Sequence, residues 1–105
     1  MADERRLNAR VKVNLPVRWE NFLIQQAATV ADLSLTGCFV LSGGKVEVNE
    51  LIRLEISLPS DEPIYLWAEV IDQADEIGFS VRFTAMDDDE RERLEQFVRQ
   101  TLAAQ

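Results

Sequence analysis

The chain has 105 residues, 47% of them hydrophobic, and a formal net charge of −8. This length and composition predict one domain with its own hydrophobic core and argue against intrinsic disorder. The negative charge disfavours general DNA or RNA binding, because like charges repel. No segment reaches the ~20 consecutive apolar residues that span a bilayer, and the N-terminus lacks a signal peptide's apolar stretch. We therefore expect a cytoplasmic protein without membrane insertion.

The positive charge is concentrated at the N-terminus. The first 18 residues carry five basic and two acidic side chains, whereas the remaining residues carry six basic and seventeen acidic ones. Three of these cations, Arg5, Arg6 and Arg10, are arginines clustered within the first ten residues. Because Arg can hold phosphate through two parallel hydrogen bonds, this cluster suggests binding of a small anion. The alternative is a solvated basic tail with no role in binding.

The hydrophobic pattern from residue 11 to residue 84 predicts β-strands. Apolar residues alternate from Val11 to Trp19, and Pro16 on the opposite face suggests an edge strand or a bulge. A turn at Glu20-Asn21 leads into a weaker strand that ends at Leu33. Further strands are predicted at 38–41, 52–58, 64–70 and 77–83, with a loop over residues 42–50. Six short strands with one apolar face each are typical of a small closed barrel.

The last twenty residues change to a helical period. Asp87 is placed to cap a helix, and Glu90 three residues later matches a capping box. One apolar stripe follows, formed by Leu94, Phe97, Val98 and Leu102. The acidic run near Asp87 also resembles a metal site, but a helix start accounts for it and the chain has no His. We predict a helix over 87–102, a barrel over 11–84 and a flexible arm over 1–10.

A second candidate motif lies between two of the predicted strands, in the sequence Asp-Leu-Ser-Leu-Thr-Gly that begins at Asp32. These residue types are also the ones that turns prefer. An ionised Asp only accepts hydrogen bonds, Ser34 can donate or accept them, and Gly37 lets a flat group approach the backbone. Strand alternation would direct Asp32, Ser34 and Thr36 to one side and the leucines between them to the other.

The two motifs together resemble the signature of the PilZ domain family, whose members bind cyclic di-GMP. Arg-x-x-x-Arg at Arg6 and Arg10 is followed about twenty residues later by Asp-x-Ser-x-x-Gly. The segment from Gly78 to Phe83 is similar to the family's Gly-x-x-x-x-Phe strand, so the resemblance covers essentially the whole chain. It implies a mainly β fold, a six-stranded antiparallel barrel with a C-terminal helix, as a single domain of residues 1–105.

The resemblance also implies a ligand and its site. The ligand is cyclic di-GMP, with no further cofactor and no metal, and the binding residues are Arg5, Arg6, Arg10, Asp32, Ser34 and Gly37. An Arg directly before the arginine motif is associated in this family with two intercalated ligand molecules, and Arg5 occupies that place. The chemistry agrees, because an Arg fork matches guanine O6 and N7 while a carboxylate matches the donors of the opposite edge. Tyr65 and Trp67 lie on an outer face and are not assigned to the site.

Three functional classes follow. A bacterial second-messenger receptor agrees with both motifs: its arginine arm closes over cyclic di-GMP and changes the surface shown to an unidentified effector protein. The alternative is a PilZ-like adaptor that binds no nucleotide, although such relatives usually lack the arginines. An enzyme is not expected, because the chain has no His and its one cysteine, Cys38, falls in an apolar run. The sequence leaves open a monomer or a ligand-dependent dimer.

Overall fold

The structure, a computed structural model, describes residues 9–59 and 61–105. Its elements in chain order are β1 Val11–Glu20, β2 Gln25–Leu33, β3 Gly37–Leu41, β4 Leu51–Ile56, β5 Ile64–Ala74, β6 Gly78–Ala85 and the helix α1 Asp88–Ala104. The strands form a closed barrel in the order β1-β2-β3-β6-β5-β4, and all neighbours are antiparallel. The predicted six-stranded antiparallel barrel with a C-terminal helix is confirmed. Most of the predicted arm, residues 1–8, lies outside the described residues.

Side chains fill the interior of the barrel. Apolar residues at alternate positions point inward, and Trp19 packs edge-on against Phe79 with ring centroids 5.4 Å apart. The indole nitrogen of Trp19 donates a hydrogen bond to the Ser42 hydroxyl at 3.1 Å, so its one polar atom is satisfied in the core. A small barrel filled in this way leaves its outer surface and its ends for binding.

Pro16 lies at an irregular part of β1, as its sequence position predicts. The alternative of an edge strand is wrong, since β1 pairs with both β2 and β4. The register shifts between Lys12 and Leu15, directly before the proline. The last β1–β4 pair is Val17 with Ile56. Beyond this pair, the Pro16 carbonyl accepts a hydrogen bond from the amide of Ser57, the residue that follows β4. Pro16 pairs with Thr29 in the β1–β2 ladder, but its missing N–H is on the β4 side, beyond the last β1–β4 pair.

The helix α1 closes one end of the barrel. Leu94 and Val98 from the predicted stripe are fully buried in the core, as the 3.6-residue period requires. Gln105 Nε2 donates to the carbonyl of Lys12 at 3.3 Å, which places the end of the helix beside the start of β1. Within the described ranges, no helix combines the length and apolarity needed to cross a bilayer.

The predicted capping box is wrong. Asp87 is the N-cap residue, but its side chain makes no cap hydrogen bond. The Glu90 carboxylate instead accepts a hydrogen bond from the backbone amide of Tyr65 at 2.7 Å. The reason lies in the sheet: β6 ends at Ala85, opposite Trp67, so the Tyr65 amide has no strand partner there. Glu90 therefore joins the helix to β5.

The barrel has two ends of different character. One end, which we call the motif end, is formed by the start of β1, the β2–β3 turn at 34–36 and the end of β6. The helix α1 packs at this end. We call the loop end the opposite one, formed by residues 21–24, 42–50 and 75–77. In the closed strand order, β4 and β5 lie across the barrel from β2 and β3.

Candidate functional site

The β2–β3 turn at the motif end is built by Ser34. Its hydroxyl accepts hydrogen bonds from the amides of Thr36 and Gly37, both at 3.2 Å, and its own amide donates to the Gly37 carbonyl at 2.9 Å. The Ser34 side chain is only 2% exposed. A serine that bonds to the backbone two and three residues ahead is a common turn former, and here it fixes the geometry of the second motif.

The predicted alternation through this motif is wrong at Ser34. Asp32 and Thr36 lie on the surface, but Ser34 is buried together with Leu33. The strand period ends at Leu33, and the turn that follows directs the Ser34 side chain inward. Asp32 is therefore the charged group that this motif presents at the surface.

Gly37 sits where two strands approach each other closely. It pairs with Arg82 of β6, and a Cβ built on it would lie 2.2 Å from the carbonyl oxygen of Val81. Real Cβ atoms do not come so close to backbone, so the register of β3 and β6 requires a glycine here. The close backbone approach that Gly37 permits is therefore between β3 and the neighbouring strand β6.

The structure brings Arg10 of the first motif onto Asp32 of the second. Arg10 Nη1 donates to Asp32 Oδ1 and forms an ion pair in which the side chains are 52% and 34% exposed. The contact follows from the sheet, because β1 begins directly after Arg10 and pairs with the end of β2, Lys12 opposite Asp32. Arg5 and Arg6 lie outside the described residues. Four of the six predicted site residues are thus placed, and all four are at the motif end.

Two further cations lie next to residues of the second motif in the strand pairing. Lys12 is the cross-strand neighbour of Asp32, and Arg82 is the cross-strand neighbour of Gly37. Arg82 forms an ion pair with Glu69 of β5, as expected for a strand cation with an acidic neighbour. Together with Arg10, three cations of the described residues therefore lie at this end, and two of them are ion-paired with carboxylates. The sequence alone does not place either cation at this site, because their position depends on the strand pairing.

Cys38 follows Gly37 but is not a reactive group. It is fully buried opposite Leu33. Burial raises the pKa of the Cys38 thiol far above its ordinary value, and the nearby charge of Asp32 raises it further. The thiol is therefore neutral and inert, as its apolar position in the sequence indicates. Over residues 9–59 and 61–105, no three potential metal ligands cluster.

Tyr65 and Trp67 lie on the wall opposite the second motif. Both belong to β5, and each is about half exposed. The Arg53 guanidinium stacks over the Trp67 ring, 5.6 Å from its centroid, and also pairs with Glu20 at 3.4 Å. The structure thus places these two aromatic residues away from the Arg10–Asp32 pair.

Comparison with known proteins identifies the family. The family model described as PilZ domain matches residues 4–100, a range that includes both motifs, the barrel and most of α1. This chain belongs to the PilZ domain family. PilZ domains are receptor and adaptor domains rather than enzymes. No curated protein sequence matches the chain.

Solved structures share the PilZ fold at low sequence identity. The Bacillus subtilis inhibitor of motility, MotI/DgrA, aligns with a TM-score of 0.80 and 18% identity over 91% of this chain and 50% of that one. The PilZ domain of CeSA from a cellulose-synthesising bacterium gives 0.68 and 18% over 92% and 98%. The PilZ domain of Escherichia coli YcgR, solved with cyclic di-GMP, gives 0.75 and 13% over 91% and 90%. This chain therefore spans half of the MotI/DgrA chain and nearly all of the other two.

Proposed function

We propose that this PilZ domain is a receptor for cyclic di-GMP. The observation that carries the proposal is the meeting of Arg10 and Asp32, one residue from each motif, at the motif end of the barrel. The ligand lies on the outer surface there, with Arg5, Arg6 and Arg10 supplied by the arm and Asp32 by β2. Ser34 and Gly37 hold the turn on which Asp32 depends. The cyclic di-GMP in the YcgR structure supports the choice of ligand.

The two motifs offer complementary groups to a guanine nucleotide. An Arg fork donates in parallel to O6 and N7 of guanine or to two phosphate oxygens. The Asp32 carboxylate accepts from the N1–H and N2–H₂ donors of the opposite guanine edge. In the free chain Arg10 and Asp32 satisfy each other, and an ion pair this exposed is worth only about 0–1 kcal/mol. The ligand therefore displaces or incorporates the pair at little cost.

Ligand binding also changes the surface of the domain. We propose that the arm closes over bound cyclic di-GMP, so that arm, nucleotide and motif end together form a surface that an effector protein recognises. The two binding events then reinforce each other by linkage. Under this proposal the domain acts in the bacterial cytoplasm as a monomer or as a ligand-dependent dimer.

Calorimetric titration with cyclic di-GMP tests the proposal directly. Arg6→Ala and Arg10→Ala each remove charged hydrogen bonds worth about 1.5–3 kcal/mol, so the affinity should fall about tenfold to a hundredfold. Asp32→Ala should weaken binding with the fold intact by circular dichroism. Arg53→Ala is the matched control, because Arg53 is also ion-paired and 52% exposed but lies on the opposite wall.

Cyclic di-AMP is the matched ligand control. Adenine presents a donor beside N7 where guanine presents O6, so it cannot accept both arms of an Arg fork, and it should bind far more weakly. If the wild-type domain shows no heat of binding with cyclic di-GMP at high micromolar concentration, the receptor function is ruled out. The nucleotide-free adaptor would then be the remaining function of this PilZ domain.

The same titration addresses the number of bound ligands. We expect two cyclic di-GMP molecules per chain, because Arg5 adds a third arginine that can offset four crowded phosphates. Arg5→Ala should reduce the stoichiometry toward one, whereas Arg10→Ala should mainly reduce affinity. One ligand per wild-type chain, unchanged in Arg5→Ala, would remove this part of the proposal.

A further inference from the structure

The loop end of the barrel carries an open groove that the nucleotide site does not use. It has a volume of about 1100 Å³. Its walls come from all three connections at this end, the β1–β2 turn, the β3–β4 loop and the β5–β6 turn, and include Leu23, Glu47, Asp75 and Glu76. Every strand connection at this end therefore contributes to one concave surface.

Hydrogen bonds hold the walls of the groove together. Asn21 Nδ2 donates to the Glu50 carboxylate at 3.0 Å, which joins the first turn to the long loop. The Ser42 amide donates to the Ile77 carbonyl at 3.1 Å, which joins that loop to the third turn. The Ser42 hydroxyl is itself anchored in the core by Trp19. The shape of the groove is therefore fixed by the fold, since each of the three connections is hydrogen-bonded to another.

Large apolar side chains stand exposed beside the groove. Phe22 is completely exposed, and Leu23 and Ile77 are 91% and 64% exposed. Leu23 lines the groove, and Phe22 and Ile77 belong to two of the turns that form the loop end. Single exposed apolar residues are common, but three on the connections at one end of a barrel are typical of a binding surface. The β1–β2 turn does not need these side chains for its own structure, because Asn21 Oδ1 closes it by accepting from the amides of residues 23 and 24.

The charge around the groove is mainly negative. Glu47, Asp75 and Glu76 line it, all three are exposed, and none of them pairs with a cation among residues 9–59 and 61–105. Lys45 is the one basic residue in its lining. Carboxylates that have no cationic partner and surround an apolar contact attract a cationic partner protein. They repel nucleic acid, anionic lipid and a second copy of this chain.

We propose that the loop end docks a basic amphipathic segment of a partner protein, in which lysines or arginines flank a large apolar side chain. The apolar residue packs against Phe22, Leu23 and Ile77, and the cations meet Glu47, Asp75 and Glu76. This surface lies at the opposite end of the barrel from the Arg10–Asp32 pair, and the strands between the two ends are closed into a filled barrel. Docking at the loop end is therefore independent of cyclic di-GMP, and the proposal does not rest on nucleotide binding.

A peptide library displayed on phage and selected on the immobilised full chain tests the proposal. Enriched peptides should combine Lys or Arg with Leu, Ile, Phe or Trp, and a synthetic copy should bind with an affinity that falls as salt is raised. Phe22→Ser with Leu23→Ser, and separately Glu47→Gln with Asp75→Asn and Glu76→Gln, should each weaken binding at least about tenfold. Saturating cyclic di-GMP should leave the affinity unchanged.

Matched controls remove the same chemistry elsewhere. Tyr65→Ser removes a half-exposed apolar side chain from the β5 wall, and Glu55→Gln with Asp88→Asn and Glu92→Gln removes three carboxylates away from the loop end. Both controls should bind the peptide like the wild type. Thermal unfolding of each variant checks that the domain is still folded.

Three results of the peptide experiments would overturn the proposal. They are enrichment of peptides without basic residues, equal loss of binding in the controls and in the loop-end variants, and peptide binding that appears only with cyclic di-GMP. Sedimentation showing self-association through Phe22 and Leu23 would also overturn it, because the occupant would then be a second copy. A domain that fails to bind cyclic di-GMP but still binds the peptide would leave this proposal standing.

Discussion

Ser34 and Gly37 serve the proposed site through the backbone. The Ser34 hydroxyl is occupied by two amides of the turn, and the missing Cβ of Gly37 makes room for the Val81 carbonyl. Asp32 and Arg10 are the placed motif residues with functional atoms at the surface. Under the proposed function, the signature thus contains two kinds of residue, those that contact the ligand and those that hold the contacting residues in place.

Substitution of Gly37 tests this division. In Gly37→Ala the new methyl group would lie 2.2 Å from the Val81 carbonyl oxygen, so β3 and β6 must separate. Overpacking of this kind should lower the free energy of unfolding by about 1–3 kcal/mol, measured by urea denaturation. Gly43→Ala is the matched control, because its Cβ meets no described atom within 4 Å, and it should change stability by about 0.5 kcal/mol or less. Equal stability of the two variants would show that Gly37 is not needed for strand packing.

At the scale of whole elements, the helix α1 depends on the sheet for its position. Its buried stripe packs on the core, and its Glu90 carboxylate accepts from the Tyr65 amide at the end of the β5 ladder. A side chain from the first turn of the helix therefore satisfies a free backbone amide of β5, where the sequence pattern alone indicated a cap within the helix.

Removal of the Glu90 carboxylate measures this contact. Glu90→Ala leaves the Tyr65 amide to water and should lower the free energy of unfolding by about 1 kcal/mol. Asp88→Ala is the control, because Asp88 also lies in the first turn but makes no hydrogen bond or ion pair within residues 9–59 and 61–105. It removes the same favourable charge at the helix N-terminus without the contact. If both variants lose the same stability in urea, the helix dipole accounts for the effect and the Glu90–Tyr65 bond contributes nothing.

At the scale of the molecule, the two ends of the barrel have separate proposed roles. The motif end holds Arg10 of the first motif, the whole second motif, and the cations Lys12 and Arg82. The loop end holds an acidic groove with exposed apolar side chains. A closed, filled barrel joins them as a rigid spacer, so a ligand that orders the arm changes one end and leaves the other as it was.

Amide exchange on residues 2–10 tests the closing of the arm. Residues 2–9 contain Leu7 as their one large apolar side chain, and Arg5, Arg6 and Arg10 repel one another. We therefore expect fast exchange in the free protein and slow exchange with cyclic di-GMP. Ordering costs roughly 1–2 kcal/mol per residue, which predicts moderate affinity. Exchange in β5 is the internal control and should not change. Equal protection of the arm in both states would mean that it is preformed and that the switch lies elsewhere.

The sequence by itself determined the elements and the family. Alternation of apolar residues predicts the six strands, the change to a 3.6-residue period predicts the helix, and the spacing of the arginines and the Asp-x-Ser-x-x-Gly motif indicates a PilZ domain. Side-chain periodicity is a local property, and short motifs are read from consecutive residues. For the same reason the buried state of Cys38 follows from the apolar run around it.

Only the tertiary structure decided how these elements face one another. The meeting of Arg10 with Asp32, the neighbouring Lys12 and Arg82, and the partner of Glu90 all depend on which strands pair and in which register. The turn direction that buries Ser34 and the loop-end groove around Leu23 have the same origin. Register is set by contacts between residues far apart in the chain, and the hydrophobic pattern of one strand does not specify which residue of another strand lies beside it.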